Sequence, residues 1–275
     1  MKRVNLISLL TVLISMVANN VLAYDIEMPN NDGVTIYYVF NEDRTELIVS
    51  NNENVKYQGD IVIPSSVTFE GITYSVTGIG ISAFADCPGL TSIKIPNSVK
   101  SIGIGAFCAC VDLVSVELGN NIEVIAPMAF NSTKISSIIL PHSIKQIEFC
   151  AFTSCRELAD VYCYAQEMPN IDLDINFSAF DCSDWIISAS KYPTLHVPEE
   201  LIELYKEDAQ WGKFMDIVPL TDDDPKPTGI ISVNSNKNSN DNSVHNLQGH
   251  KLSQPQKGLN IIRTNDGKTK KVVVK

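Results

Sequence analysis

Few side chains in this sequence have a type and spacing that could do chemistry. His142 and His196 are the only histidines between residues 24 and 243, and neither has a serine or cysteine nucleophile motif beside it. Glu199 and Glu200 could be read as an acid/base pair, but Pro198-Glu199-Glu200 also suits a helix start, where carboxylates favour the dipole. Asp172-Leu173-Asp174-Ile175-Asn176 imitates the opening of a calcium loop. Its sixth position is Phe177 where glycine is needed, and its twelfth is Ser183 where glutamate is needed. Asp222-Asp223-Asp224 would chelate a divalent ion, yet it sits in a charged, proline-interrupted stretch that reads as solvated linker. Seven cysteines are present without one CxxC pair, so a zinc site has no starting point. No phosphate loop or dinucleotide fingerprint occurs. We therefore expect no catalytic residues, no metal and no cofactor: a protein that is not an enzyme.

The ends of the chain carry separate signals. Lys2 and Arg3 precede an apolar run from Val4 to Val17, and Val21-Leu22-Ala23 supplies a small-residue cleavage site. This predicts a signal peptide over residues 1–23, with a transmembrane anchor as the weaker alternative. Residues 24–229 hold 30 acidic against 11 basic side chains, a net of −19, whereas residues 230–275 hold 2 against 8, a net of +6. A body this acidic is a poor match for nucleic acid, whose phosphates need Lys and Arg. The last residues read as an appended module with its own job.

An Ala-Phe pair recurs along the body, its phenylalanines at Phe84, Phe107, Phe130, Phe152 and Phe180, spaced 23, 23, 22 and 28 residues apart. A period in the twenties is the mark of a solenoid. Each rung also carries an apolar trio: Leu90/Ile93/Ile95, Leu113/Val116/Leu118, Ile135/Ile138/Leu140 and Leu158/Val161/Cys163. The last two members of each trio alternate, as a short strand with one buried face requires. Pro96, Gly119 and Pro141 end these strands. A second apolar set follows at Val99/Ile102, Ile122/Ile125 and Ile144/Ile147. The predicted fold is mainly β: a right-handed coil with one short strand per 22–23-residue rung and the five phenylalanines stacked as a structural spine. Cys87, Cys110 and Cys155 each fall three residues after a spine phenylalanine. A residue tied to the period reads as a small buried thiol, with disulfides as the alternative.

The wording of the rungs, near IPxSVxxIGxxAFxxCxxLxxIxIP, resembles the BspA-type leucine-rich repeat of secreted and surface proteins, from about Asp60 to Leu220. That resemblance implies a leucine-rich-repeat solenoid over residues 59–220. Gly59–Phe84 would be the first rung, with a hairpin insertion at 68–74, and Thr194–Leu220 would contain a capping helix with Leu201, Leu204 and Tyr205 on one apolar face. Residues 24–58 would form an N-terminal β-hairpin cap. The segment 221–243 reads as disordered linker. Residues 244–275 form a short β tail, with Leu259–Ile262 and Val272–Val274 flanking a turn at Asn265-Asp266-Gly267. Asn246–Leu252 and Lys257–Ile262 in that tail resemble a type IX secretion sorting signal. This implies a Gram-negative cell, with the outer-membrane secretion machinery as a partner. A basic hairpin without a trafficking role is the alternative.

Stacked rungs line up equivalent outward positions. One row is Lys94, Glu117, Ile139, Tyr162 and His196; a second is Ser92, Ser115, Ser137 and Asp160. The bland reading is a solvated face with a Lys94–Glu117 pair. The sharper one makes Ile139 and Tyr162, with Asp160 and His196 beside them, the anchor of a protein-binding patch. Members of the resembled family bind host matrix proteins or other cells, which implies adhesion by an exported, monomeric protein whose partners are extracellular proteins or cell-surface ligands. A glycan-capturing module for nutrient uptake and a purely structural envelope protein are the other readings.

Overall fold

A computed structural model describes residues 24–171, 178–181 and 192–227, together with strands at 244–245, 251–252, 258–263 and 269–274. The expected signal peptide lies outside the described residues, as do Cys182, the calcium-loop imitation and the turn at 265–267. The chain divides into two compact units, Met1–Pro225 and Lys226–Lys275. Among the described residues no helix is long and apolar enough to cross a membrane.

The first unit opens with three antiparallel strands, β1 (Ile26–Pro29), β2 (Thr35–Phe40) and β3 (Glu46–Ser50). The expected hairpin is therefore a three-stranded meander, because Ile26–Pro29 also pairs with Thr35–Tyr38. The first rung contributes β4 (Gln58–Val62), β5 (Ser66–Phe69) and β6 (Ile72–Ile79), and β3 lies parallel to β6. The predicted hairpin insertion is present: β5 and β6 pair antiparallel across Glu70-Gly71. Both turn residues have positive φ, +50° and +81°, the geometry that matches strand twist in a two-residue loop.

Each later rung contributes one longer and one shorter strand. These are β7 (Gly89–Lys94) and β8 (Ser101–Ile102), β9 (Ser115–Glu117) and β10 (Val124–Ile125), β11 (Ser137–Leu140) and β12 (Gln146–Ile147), then β13 (Asp160–Cys163) and β14 (Asn170–Ile171). The short strands continue the N-terminal sheet in the order β1-β2-β3-β6-β8-β10-β12-β14. The long strands form two sheets, β4-β7-β9 and β11-β13-β15-β16, where β15 is Thr194–Val197 and β16 is Asp216–Pro219. Every pairing from β3 to β16 is parallel except β5 with β6.

Between the two rows of strands lies the apolar core, and the trios and second sets read from the sequence fill it almost completely. Val116 is the exception among the trios, being half-buried. Rings of Phe84, Phe107, Phe130, Phe152 and Phe180 stack face to face with centroids 4.8–5.3 Å apart. Tyr57 extends the series at one end, and Trp211 and Phe214 close it at the other. The alanine of every pair after the first has a role of its own: the carbonyls of Ala106, Ala129, Ala151 and Ala179 accept the backbone N–H of the phenylalanine one rung earlier, at 2.7–2.8 Å.

Two rows of left-handed backbone flank this corner. Ser82, Gly105, Met128 and Cys150 lie two residues before the phenylalanine, and Asp86, Ala109, Ser132 and Ser154 lie two after it, with φ between +52° and +61°. Seven of these eight positions are not glycine, and an L-residue pays about 1–2 kcal/mol for that conformation. Backbone bonds from one rung to the next hold it in place, for example Ser82 N–H to Ile104 O and Asp86 N–H to Cys108 O, both 2.9 Å.

The thiols at the repeat position, Cys87, Cys110 and Cys155, are buried, and no disulfide joins any two of Cys87, Cys108, Cys110, Cys150, Cys155 and Cys163. The disulfide alternative is thus not realised among the described residues. Cys110 donates to Phe84 O at 3.0 Å and Cys155 to Phe130 O at 3.1 Å. Thr133 takes the same place in the third rung, where its hydroxyl lies 3.3 Å from the Cys155 sulfur. Burial pushes the Cys110 thiol up to about 12 and the Cys155 thiol up to about 11. Iodoacetamide at pH 8 is therefore expected to leave Cys110 and Cys155 unmodified in the native protein and to label both in urea, because the thiolate is the reactive form. Native-state labelling of either, read by peptide mass, would contradict this packing.

At the C-terminal end the chain turns through a 3-10 turn at Glu199–Leu201 into a short helix, α1 (Ile202–Glu207), then a second 3-10 turn at Trp211–Lys213. The expected apolar helix face is corrected. Tyr205 is fully buried, but Leu204 is 48% exposed, because Trp211 and Phe214 supply the ring surface that covers the spine. The sheet also runs one strand further than expected, since β16 pairs with β15 across all four residues.

The second unit contains β17 (Val244–His245), β18 (Lys251–Leu252), β19 (Gly258–Arg263) and β20 (Thr269–Val274) in the antiparallel order β18-β17-β19-β20. The predicted hairpin is the β19/β20 pair, with Leu259 opposite Val273.

Candidate functional site

Register places the predicted outward row on real neighbours, but in two pieces. Lys94 lies opposite Glu117 on β7 and β9, and their charged ends meet at 2.7 Å. Ile139, Tyr162 and His196 lie opposite one another on β11, β13 and β15. Between β9 and β11 no strand pairing joins the pieces, so the single five-member row expected from the sequence is interrupted there. The charged piece is an exposed ion pair, worth under about 1 kcal/mol.

The second row behaves in the same way. Asp60, Ser92 and Ser115 form one part, and Ser137, Asp160, Thr194 and Asp216 form the other. Asp60 accepts the hydroxyls of Ser92 at 2.7 Å and Thr91 at 2.8 Å, and these bonds lower its pKa. Sequence reasoning missed Asp60 because β4 lies in the atypical first rung.

The aromatic piece is more compact than expected. Ile139 and Tyr162 are half-buried and not openly exposed. The Tyr162 ring stacks on the His196 ring with centroids 4.3 Å apart and planes 28° apart. Asp160 does not stay with its serine row: its Oδ1 reaches His196 Nε2 at 3.0 Å. Val218 on β16 is the next residue in register beyond His196, so the continuous row is Ile139, Tyr162, His196, Val218.

Beside this row stands a grouping that the sequence did not bring together. Tyr164 is buried, its ring edge against His142 at 5.7 Å. Its hydroxyl donates to the carbonyl of Pro225 at 3.0 Å. Asp224 Oδ1 lies 3.9 Å from His196 Nδ1. Thr221–Pro225, expected to begin a disordered linker, thus belongs to the first unit and lies against β15 and the end of β13; residues 228–243 of that expected linker are outside the described residues. Burial, then Asp160 and Asp224, raise the pKa of Tyr162. Burial, then Asp224 and Tyr162, raise that of Tyr164 to about 12.

Among the described residues no group of three or more His, Cys, Asp or Glu side chains is placed to hold a metal ion. Glu199 and Glu200 begin the turn that leads into α1, as their dipole reading expects. His142, with Lys145, Glu167 and Met168, lines a shallow open depression of about 330 Å³ at the side of the rungs.

Residues 77–192 match the model of the BspA type leucine rich repeat region, in six copies. Among solved structures, the chain is similar to a leucine-rich repeat protein from Bacteroides capillosus, with 27% identity over 50% of this chain and 99% of that one and a TM-score of 0.43. A leucine-rich repeat protein of T. pallidum is similar at 20% identity over 67% of this chain and 80% of that one, TM-score 0.45. Another from Bacteroides ovatus is similar at 17% identity over 71% and 67%, TM-score 0.40. No curated protein matches the chain.

Proposed function

We propose that this chain is an exported leucine-rich repeat protein of the BspA type that binds other proteins at the cell surface. In this reading residues 1–23 direct export and the rungs coil as a right-handed solenoid. The N-terminal meander and the helical C-terminal segment cap its two ends. The basic second unit engages the outer-membrane secretion machinery of a Gram-negative cell. The observation that carries the binding role is the row Ile139, Tyr162, His196 and Val218, four half-buried apolar or aromatic side chains in strict register on parallel strands. A flat row of this kind offers contact area with little side-chain entropy to lose. The family match of residues 77–192 supports the same role, because repeat stacks of this kind present extended binding surfaces.

The test is a binding array with the purified chain from residue 24 onward, offering extracellular-matrix proteins, mucins and polysaccharides side by side. Wild type is expected to bind at least one protein saturably. The Ile139→Ser/Tyr162→Ser double variant, with its circular dichroism unchanged, is expected to lose at least tenfold in affinity. Polysaccharide binding alone would favour glycan capture instead. An empty array would leave a structural envelope protein as the better account.

A further inference from the structure

The segment after β16 does more than leave the stack. Thr221–Pro225 turns back across β15 toward the end of β13, and Asp224 shapes the turn by accepting both the backbone N–H and the hydroxyl of Thr221. Two contacts then hold the segment to the face: Tyr164 Oη to Pro225 O at 3.0 Å, and Asp224 Oδ1 to His196 Nδ1 at 3.9 Å.

His196 has a carboxylate at each ring nitrogen, Asp160 at Nε2 and Asp224 at Nδ1. A carboxylate can only accept, and a neutral imidazole has one N–H to give. In the neutral ring one nitrogen lone pair must face a carboxylate oxygen. The imidazolium instead offers a donor and a positive charge to both. At 3.9 Å the Asp224 contact is ionic and not a hydrogen bond, so its attraction depends on that charge. The His196 side chain is 15% exposed and Asp224 14%, which limits screening by solvent. Among the described residues, titratable groups near the ring include Tyr162, stacked on it from β13, Tyr164, bonded to Pro225 beside Asp224, and Asp222 and Asp223, exposed farther out on the segment. From β16 the facing residue is Val218.

We propose that Thr221–Pro225 is a proton-gated strap over the aromatic end of the sheet. With His196 protonated, the strap is held across β15 and β13. With His196 neutral, Asp224 loses its counter-charge and the strap lifts, uncovering Tyr164 and the Tyr162–His196 pair. Release therefore increases as the imidazole gives up its proton, that is, on going from acid toward alkaline solution. The consequence for partners rests on the binding role proposed above; the opening itself does not.

Hydrogen exchange of the full chain, read by mass spectrometry at pH 5.5 and pH 8 and corrected for intrinsic rates, tests this on the amides of residues 220–224. Protection in the wild type is expected to fall about fivefold at pH 8, the factor for an ion pair near the upper end of the partly exposed range. Asp224→Asn keeps an oxygen for Thr221 and should make protection independent of pH, as should His196→Gln. Tyr164→Phe should lower protection at both pH values and leave their ratio unchanged. Equal protection at the two pH values in the wild type, or an unchanged ratio in Asp224→Asn, would overturn the strap. Failure of the binding role would show differently, as no ligand at either pH in the array.

Discussion

Replacing Phe130 with alanine is expected to lower stability by about 3–5 kcal/mol. The ring is fully buried and sits between Phe107 and Phe152 at 5.1 and 5.3 Å, nearly parallel to both. Its removal opens a hole at two rung interfaces at once, and in a repeat stack each rung is stabilised through those interfaces. The flanking rings have little room to collapse into the gap, because the backbones of Phe107 and Phe152 are each bonded to the alanine of the next pair. Urea unfolding followed by circular dichroism reads the loss as a drop in midpoint. Phe130→Leu, which keeps most of the apolar volume, should cost clearly less. A loss under about 1 kcal/mol for the alanine variant would mean that the phenylalanines are not the spine, since even partial loss of a buried ring's transfer energy exceeds that.

Gly103→Ala should be nearly as damaging, at about 3 kcal/mol, for a different reason. A Cβ on Gly103 would lie 2.8 Å from Ile79 O and Gly80 C and 2.9 Å from Gly80 O. All three are backbone atoms of the preceding rung, so no side chain can step aside. The Gly103 N–H also donates to Ile79 O at 2.8 Å, and any shift that relieves the clash lengthens that bond. Gly105, two residues on, is the control. Its φ is +59°, yet a Cβ there would meet Cys108 Cβ at an ordinary 3.6 Å. Gly105→Ala should cost only the strain of left-handed backbone, about 1 kcal/mol. Thermal unfolding of the two variants compares them directly, and a larger loss at Gly105 would reverse the assignment of both glycines.

The parts of this fold that could be read in advance are those written in side chains that repeat. Phenylalanine, alanine and the Leu/Ile positions recur because each fills the same place in every rung, and strand alternation then fixes which residues face outward. That logic placed Ile139, Tyr162 and His196 in one row. It did not reveal β16, because Asp216–Pro219 lacks the repeat wording and gains its strand partner only from β15. Nor did it foresee the interruption between β9 and β11, whose residues carry the same apolar trio as their neighbours. Asp224 was hidden for a related reason: three successive aspartates look solvated, and their packing depends on His196 and Tyr164, remote in sequence. The left-handed rows were invisible because glycine, the usual sign of such backbone, occupies one position in eight.

That last feature bears on how such a chain can change in length. The corner's conformation is enforced by main-chain bonds to adjacent rungs, so it makes few demands on which residues occupy it. Any stretch that starts at one spine phenylalanine and ends at the alanine before the next has matching ends. Removing Phe107–Ala129 would join Ala106 to Phe130 and restore the same Ala-Phe junction, with the same donors and acceptors above and below. Duplicating that stretch would do the same. The unit of heritable variation is then a whole rung, and the extent of the outward face can grow or shrink by recombination without a new folding problem being solved.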